Sequence, residues 1–261
     1  MSQTTKRSRH AADLAAIGAD PVAVGRYLRA NSNLPGPRGN LELAHAFADW
    51  APDELVEALR SEDTEHDEFV DFCVVLALGE RLARAPDPGL VTALHEHARD
   101  PRWRIREAVT TGLQRVGDRD LLRLVSLVDG WVLEADPLVR RAAIAAICEP
   151  RLLTTQPGAS GALRACQAAT RSIAEALPDE RRTVGMRVLR QALGYCWSVA
   201  VAADPGPGLT AFAALQAVED DPDLAWIARE NLRKARLQRL LGPWAGRPAR
   251  AKRPGGPRER P

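Results

Sequence analysis

The sequence lacks the motifs that would directly identify an enzyme, a metal site or a membrane protein. It contains no GxxxxGK[ST] loop for phosphates, no nucleophile elbow, and no HExxH, CxxC or calcium-loop pattern. It also contains no secretory hydrophobic region and no uninterrupted apolar run of membrane-spanning length. We therefore expect a cytoplasmic protein with no cofactor, no bound metal and no membrane partner.

Aromatic residues are scarce, at 5% of the chain, although hydrophobic residues make up 45% of it. Valine and isoleucine occur mostly at helical spacing, and no convincing alternation of apolar and polar residues predicts a strand. The four cysteines are distant from one another in the sequence, at Cys73, Cys148, Cys166 and Cys196. This composition predicts close-packed helices with buried free thiols, which is typical of a reducing cytoplasm.

The segment 100–118 carries the clearest helical pattern. Asp100 can cap a helix, Pro101 suits its first position, and Gly117 is placed to end it. The segment therefore predicts one amphipathic helix between a turn and a stop. Its apolar stripe consists of Ile105, Ala108, Val109, Leu113 and Val116.

Turn-forming residues predict the boundaries of other helices. Asn40 is a suitable N-cap for a helix at 41–50, and the loop before it either only reverses the chain or holds an anion through Arg38. Glycine and proline predict a loop at 154–161 before a helix at 162–177. A second glycine- and proline-rich segment, 204–208, is predicted to end a helix that spans 181–203.

The pattern of the segment 100–118 returns further along the chain. The core Ile105-Arg106-Glu107-Ala108 aligns with Val139-Arg140-Arg141-Ala142 at a step of 34 residues, and related cores occur around Arg190 and Arg229. An Asp-Pro turn followed by a hydrophobe, an arginine, an alanine and a closing leucine resembles the HEAT repeat. In that family, pairs of antiparallel helices stack into a curved solenoid.

The resemblance implies an all-α fold, a HEAT-like α-solenoid of stacked antiparallel helix pairs that spans residues 8–241. Composition predicts a disordered N-terminus at 1–7 and a disordered, basic, Pro/Arg-rich tail at 242–261. In HEAT arrays the turn aspartate and the helix arginine form a ladder between repeats. By position, the resemblance implies the pairs Asp100–Arg106 and Asp136–Arg140.

The second helices of such repeats line a concave face, so their basic and aromatic side chains are the candidate binding residues. These are Arg102, Trp103, Arg106, Arg140, Arg141, Arg187, Arg190, Trp226, Arg229 and Arg233. Taken singly, each has a structural alternative, because such tryptophans are more often core residues and such arginines more often ladder rungs. No complete catalytic constellation accompanies them. This favours a non-catalytic binding or scaffold protein with a protein or peptide partner.

The distribution of charge supports a different class of function. Residues 222–261 carry 11 basic and 3 acidic side chains, whereas residues 1–100 carry 10 and 17. The chain is also similar in length, repeat type and Trp/Arg content to the DNA-alkylation-repeat glycosylases, which remove alkylated bases with concave tryptophans and a carboxylate. That resemblance implies nucleic-acid binding with base excision, for which Glu107 and Glu230 are the candidate carboxylates.

Overall fold

The computed structural model describes residues 5–36, 38–61 and 67–242, and within these ranges the chain is helical and contains no strand. The predicted all-α class is therefore confirmed for the described residues. A short 3₁₀ turn at Pro150–Leu152 follows α9. The helices are α1 (Lys6–Ile17), α2 (Pro21–Ala30), α3 (Leu41–Trp50), α4 (Asp53–Arg60), α5 (Glu68–Arg84), α6 (Pro88–His97), α7 (Trp103–Arg119), α8 (Leu121–Trp131), α9 (Pro137–Ile147), α10 (Gln156–Ala174), α11 (Pro178–Arg181), α12 (Val184–Ala203), α13 (Pro205–Gln216), α14 (Pro222–Leu232) and α15 (Ala235–Leu241).

Asp-Pro pairs begin several of these helices. In each, the aspartate carboxylate accepts hydrogen bonds from free N–H groups of the first turn, while the proline occupies a position whose N–H would have no partner. Asn40 caps α3 in the predicted way, because the Leu43 N–H donates to its Oδ1 at 3.2 Å. The capping aspartates are Asp20, Asp87, Asp136 and Asp221, which precede α2, α6, α9 and α14.

The predicted ends of the helix at 100–118 are wrong. The Asp100 carboxylate accepts a hydrogen bond from the Arg102 N–H at 2.8 Å, so the turn extends and α7 begins only at Trp103. At the other end α7 continues through Gly117 to Arg119. A Cβ at Gly117 would lie 2.5 Å from Leu124 Cδ2. This glycine therefore allows α8 to pack closely and does not end the helix.

Both glycine- and proline-rich segments are largely helical, which contradicts the loop predicted at 154–161. The helix end predicted at 204–208 is confirmed, because α12 ends at Ala203. Helix α10 begins at Gln156 and includes most of the segment 154–161, and α13 begins at Pro205. The predicted helix at 181–203 corresponds to α12, which begins at Val184, whereas Arg181 is the last residue of α11. A Cβ at Gly158 would lie 2.5 Å from the Leu152 carbonyl oxygen, and one at Gly208 would lie 2.8 Å from Val201 Cα. These glycines allow close backbone packing inside helices.

The helices pack in a regular order. Helices α1, α3, α5, α7, α9, α12 and α14 form a series in which each member packs against the next. Other helices lie against this series: α6 contacts α5 and α7, α8 contacts α7 and α9, α10 contacts α9 and α12, and α13 contacts α12 and α14. The core is therefore continuous along the described chain and has α5, α7, α9 and α12 at its centre.

The predicted termini lie partly outside the described residues. Lys6 and Arg7, which were predicted to be disordered, belong to α1, and Gly242 follows α15 as its C-cap. The rest of the two predicted disordered segments, 1–4 and 243–261, lies outside the described ranges. No helix in the described ranges is both long and apolar enough to span a membrane.

The cysteines behave as the sequence predicts. All four are buried and unbridged. Burial raises the pKa of the Cys73 and Cys166 thiols, which keeps them protonated. Three of the four come together, because Cys148 Sγ lies 3.7 Å from Cys166 Sγ and Cys196 Sγ donates to the Ile144 carbonyl oxygen at the end of α9. They fill core space between α9, α10 and α12.

A very close backbone contact joins α5 to α7 through two glycines. A Cβ at Gly79 would lie 2.2 Å from Gly112 Cα, and a Cβ at Gly112 would lie 2.9 Å from Gly79 Cα. No real Cβ atom tolerates such distances, so the two backbones touch only because both positions lack a side chain. This contact sets the distance between the axes of α5 and α7 at Gly79 and Gly112.

We expect Gly112→Ala and Gly79→Ala each to lower the free energy of unfolding by about 1–3 kcal/mol, because the new methyl group forces α5 and α7 apart. Urea titration followed by circular dichroism measures the change. Gly130→Ala is the matched control. It lies in α8, where a Cβ meets no atom within 4 Å, so alanine should leave stability unchanged or raise it by up to about 1 kcal/mol. Equal stability of all three variants would contradict the assigned contact.

Candidate binding groove

The arginines at the start of α7 are bound to carboxylates at the start of α5. Arg102 Nη1 donates to Asp71 Oδ2 at 2.5 Å, and its Nη2 donates to Asp100 Oδ2 at 2.8 Å. These bonds to Asp100 and Asp71 raise the pKa of Arg102. Arg104 Nη1 donates to Glu68 Oε2 at 3.0 Å. Arg102 therefore links two helices, and its charge is already neutralised.

The two ladder pairs implied by the HEAT resemblance are wrong. Arg106 is buried, and its Nη1 donates to the carbonyl oxygens of Asp100 and Pro101 at 2.6 and 2.9 Å, not to a carboxylate. The Asp136 carboxylate caps α9 and lies 3.6 Å from Arg99 Nε. Arg140 Nε is buried without a hydrogen-bond partner in the described part of the chain. The Asp100 carboxylate binds Arg102 and the Asp136 carboxylate caps α9, so neither aspartate pairs with the predicted arginine.

Ion pairs between neighbouring helices do occur, but with different partners. Arg141 on α9 pairs with Glu107 on α7 and donates to Thr110 Oγ1 at 3.0 Å. Arg190 on α12 pairs with Asp223 on α14 at 2.5 Å. These two predicted site residues therefore hold helices together.

The remaining predicted residues lie on α12 and α14. The Trp226 ring packs over α12, since a Cβ at Gly194 would lie 2.9 Å from it, and the Arg190 guanidinium lies 4.8 Å from the ring centroid. Arg187 and Arg229 are exposed. Arg233 is exposed as well and pairs with Glu230 at 2.5 Å. The structure thus brings Trp226 and Arg190 together on α14 and α12. Trp103 lies on a different helix, α7.

Trp103 forms part of a feature that the sequence did not indicate, a groove between α3 and α7 whose floor is α5. The floor side chains Phe69, Phe72 and Glu80 are buried. The wall side chains Leu41 on α3 and Trp103 on α7 are 53% and 52% exposed. Exposed walls over a buried floor define a concave surface, which we call the groove.

One end of the groove is apolar. A cavity of about 250 Å³ lies there, between the N-terminal ends of α3, α5 and α7. The Arg104 guanidinium covers the Trp103 ring at 4.6 Å from its centroid, which fixes the ring at the rim. The lining residues are Arg38, Gly39, Leu41, Phe69, Phe72, Trp103, Arg104, Glu107 and Thr111.

The other end of the groove is charged. A cavity of about 290 Å³ lies between the later turns of the same helices, and Thr111 lines both cavities. The first turns of α3, α5 and α7 meet at the apolar end and their later turns at the charged end, so the three helices run in the same direction. The lining residues are Arg7, His45, Asp49, Glu80, Thr111, Arg115, Asp118, Arg119 and Arg151.

Glu80 is the buried centre of the charged end. Its side chain is 5% exposed, and its carboxylate accepts hydrogen bonds from Arg84, Arg115 and Arg119. Arg115 also donates to Asp49 Oδ1 at 2.8 Å, and Arg7 pairs with the other oxygen of Asp49. A buried carboxylate is stable in the charged form only with such partners. The network joins α1, α3, α5 and α7.

His45 contributes a neutral imidazole to the charged end. Arg115 Nη2 donates to His45 Nδ1 at 2.6 Å, so the ring proton is on Nε2. Burial lowers the pKa of His45, and the charges of Arg115 and Arg7 lower it further, against the opposing effect of Asp49 and Glu42. His45 therefore acts as an acceptor toward Arg115 and keeps an N–H donor on its other nitrogen.

Both candidate catalytic carboxylates, Glu107 and Glu230, form an ion pair with an arginine. Glu107 lines the apolar cavity together with Trp103, but it forms an ion pair with Arg141. Glu230 accepts from Arg233 and lies beside Trp226 at Gly194. Both carboxylates are thus engaged by an arginine.

Sequence reasoning missed the residues that form most of the groove. Leu41, His45 and Asp49 recur at four-residue steps and mark one face of α3, which was an available signal. Arg115 and Arg119 mark a face of α7 in the same way. No sequence signal pairs the two faces. The anion site suggested at Arg38 stays a prediction; in the structure Asn40 caps α3 and Arg38 lines the apolar cavity.

Comparisons with known proteins assign no family. No protein-family model matches the chain, and no curated protein matches it. A solved crystal structure of an engineered protein resembles it with 14% identity and a TM-score of 0.35, covering 90% of this chain and 98% of that chain. A likeness at this level carries no argument about fold or function.

We expect acid to destabilise the protein in part through His45. The pKa of His45 in the folded chain lies below its ordinary value of 6.5, so folding disfavours its protonation. Its contribution to stability is therefore complete above about pH 6.5 and is lost as the pH falls from there toward the folded-state pKa. His45→Gln, whose amide oxygen can accept from Arg115, should reduce this loss in urea titrations between about pH 7.5 and pH 5.

His97→Gln is the control for this experiment. Burial lowers the pKa of His97 too, so its replacement should remove a separate part of the acid sensitivity and leave the part due to His45. Identical pH profiles for the wild type and His45→Gln would show that His45 is not the group that titrates.

Proposed function

We propose that the chain is a HEAT-like α-solenoid that binds a segment of a protein partner in the groove and has no catalytic activity of its own. The observation that carries this proposal is the groove itself, with exposed Leu41 and Trp103 at the rim of a buried aromatic floor. Large apolar side chains that remain exposed at a cavity mark binding surfaces.

The order of helix packing supports the solenoid part of the proposal. A series of helices that each pack against the next, with further helices along it, is the arrangement that stacked helix pairs produce. The Asp-Pro starts of α2, α6, α9 and α14 recur along the chain, as expected of repeats. In such an array the series α1, α3, α5 and α7 would form the concave side, where the groove lies.

The dimensions and chemistry of the groove favour an unfolded protein segment as the occupant. From Phe69 to Glu80 the floor is about 16 Å long, at 1.5 Å of rise per helical residue. An extended segment of about five residues spans this length. The groove offers an apolar cavity for one anchoring side chain and charged groups beyond it, which complements a segment of mixed polarity.

A random dodecapeptide display library, selected on the wild-type protein, tests this proposal. We expect enriched peptides with an aromatic or large aliphatic residue, and we expect Trp103→Ala and Leu41→Ala each to weaken their binding by about tenfold, since each removes buried contact area. Leu122→Ala is the matched control, because Leu122 is 65% exposed on α8 and does not line the groove. Selection of no peptide, or of peptides indifferent to Trp103→Ala, would contradict the proposal.

Nucleic-acid binding with base excision is the second candidate function, and one observation favours it. Trp103 and Glu107 line the same aromatic cavity, which is the combination of stacking surface and carboxylate that an extruded cationic base requires. The ion pair between Glu107 and Arg141 opposes this function, because it neutralises the carboxylate. Arg102, Arg141 and Arg190 are engaged between helices, which leaves Arg187 and Arg229 as exposed candidates for phosphate contact.

A glycosylase assay on methylated duplex DNA separates the two functions. If excision occurs, Glu107→Gln should abolish base release while Glu230→Gln retains it, since only Glu107 lines the aromatic cavity. DNA affinity should then fall steeply with added salt, and Arg187→Gln with Arg229→Gln should reduce the salt slope by about two. No base release and no salt-dependent binding by the wild type would remove this candidate and leave the first proposal.

A further inference from the structure

We propose that the charged end of the groove binds one carboxylate of the partner's segment, from an Asp or Glu that lies three or four positions from the apolar anchor. This inference rests on the proposed function, since it specifies which segment the groove accepts. It is carried by the hydrogen-bond inventory of the charged end, its net charge and its distance from the apolar cavity.

The protein's own carboxylates at the charged end already have their donors. Glu80 receives hydrogen bonds on both oxygens, from Arg84 and Arg119 on one and from Arg115 on the other. Asp49 is engaged on both oxygens by Arg7 and Arg115. Asp118 receives two bonds from Arg151, at 2.9 and 3.1 Å. Each carboxylate oxygen of this end therefore already accepts from at least one arginine.

Donors, in contrast, remain at this end. Arg119 is about half exposed and, within the described ranges, donates only through Nη2, so its Nε and Nη1 are available. His45 has its proton on Nε2 and lines the same cavity. Arg7 and Arg151 are half exposed at the rim. Surplus donors on a partly exposed cationic surface favour an anionic ligand.

The net charge indicates a single negative charge on that ligand. The cavity is lined by four arginines and three carboxylates, with His45 neutral, which leaves one positive charge in excess. The same excess remains when Arg84 and Glu149, the further partners of Glu80 and Arg151, are included. One carboxylate balances this charge, whereas a phosphate monoester would bring about −1.5 to −2 at neutral pH.

The distance between the two ends sets the spacing in the segment. Phe72 and Glu80 lie eight residues apart on α5, which corresponds to about 12 Å along the helix. An extended chain covers about 3.4 Å per residue, so about three to four residues separate an anchor in the apolar cavity from a carboxylate at the charged end. The preferred segment therefore has an apolar residue and, three or four positions away, an Asp or Glu.

The peptides enriched from the dodecapeptide library provide the test. On the wild type, Asp and Glu should be enriched at least threefold over the unselected library at three or four positions from the apolar anchor. Selection on the double variant Arg119→Gln/Arg151→Gln should lose this preference and retain the anchor. Arg182→Gln is the matched control, because Arg182 is 78% exposed and, in the part of the chain that the structure describes, pairs with its neighbour Asp179 alone. Thermal melts confirm that each variant is folded, and Glu80 keeps Arg84 and Arg115 when Arg119 is replaced.

A synthetic peptide of the enriched sequence then measures the energetic coupling between its Glu and the two arginines, Arg119 and Arg151. Fluorescence polarisation should show that replacing its Glu by Gln weakens binding to the wild type about tenfold and binding to the double variant by less than twofold. Trp103-dependent peptides without an acidic preference would overturn this inference and leave the proposed function standing. Tighter binding of a phosphoserine peptide than of the Glu peptide would overturn the assignment of one carboxylate. Absence of any Trp103-dependent peptide would instead overturn the proposed function.

Discussion

The contact between Gly79 and Gly112 is the constraint on which the groove depends. Because neither residue has a side chain, the backbones of α5 and α7 touch, and the residues next to the contact are brought within hydrogen-bonding distance. Glu80 follows Gly79 directly, and Arg115 lies about one turn after Gly112. Their bond of 2.6 Å is thus a consequence of the glycine contact. A larger residue at either position would move α5 away from α7 and so separate Glu80 from Arg115 and Arg119.

The arginines of this chain perform two different tasks, and their partners distinguish them. Arg102, Arg141 and Arg190 are bound to carboxylates of the neighbouring helix, so they contribute to the order of the helices. At the charged end the arginines outnumber the carboxylates. The first kind of arginine has little charge left to offer a ligand, since a carboxylate already pairs with it. A count of basic residues along the second helices therefore overestimates the basic surface.

The sequence predicted local features well and long-range pairing poorly. The Asn40 cap depends on neighbouring residues and the buried thiols depend on composition, and both are as expected. Gly117 and Gly158 were interpreted as a stop and a loop, because glycine usually has those roles when only the local sequence is known. In the fold each lies against a residue that a Cβ would clash with, Leu124 at Gly117 and Leu152 at Gly158. The groove was missed for the same reason, since Arg115 and Asp49 are 66 residues apart.

Glu80 determines both the positions of the arginines at the charged end and the net charge there. A buried carboxylate with three arginine partners is not a favourable way to gain stability, because desolvation offsets much of the Coulomb attraction. Its effect is on arrangement: it holds Arg115 and Arg119 at fixed positions relative to α5 and cancels part of their charge. Without it, the repelling arginines would spread and present a diffuse cationic surface suited to a polyanion. With it, the excess is one charge at a defined distance from an apolar cavity, an arrangement that suits the proposed short segment of mixed polarity better than a nucleic-acid backbone.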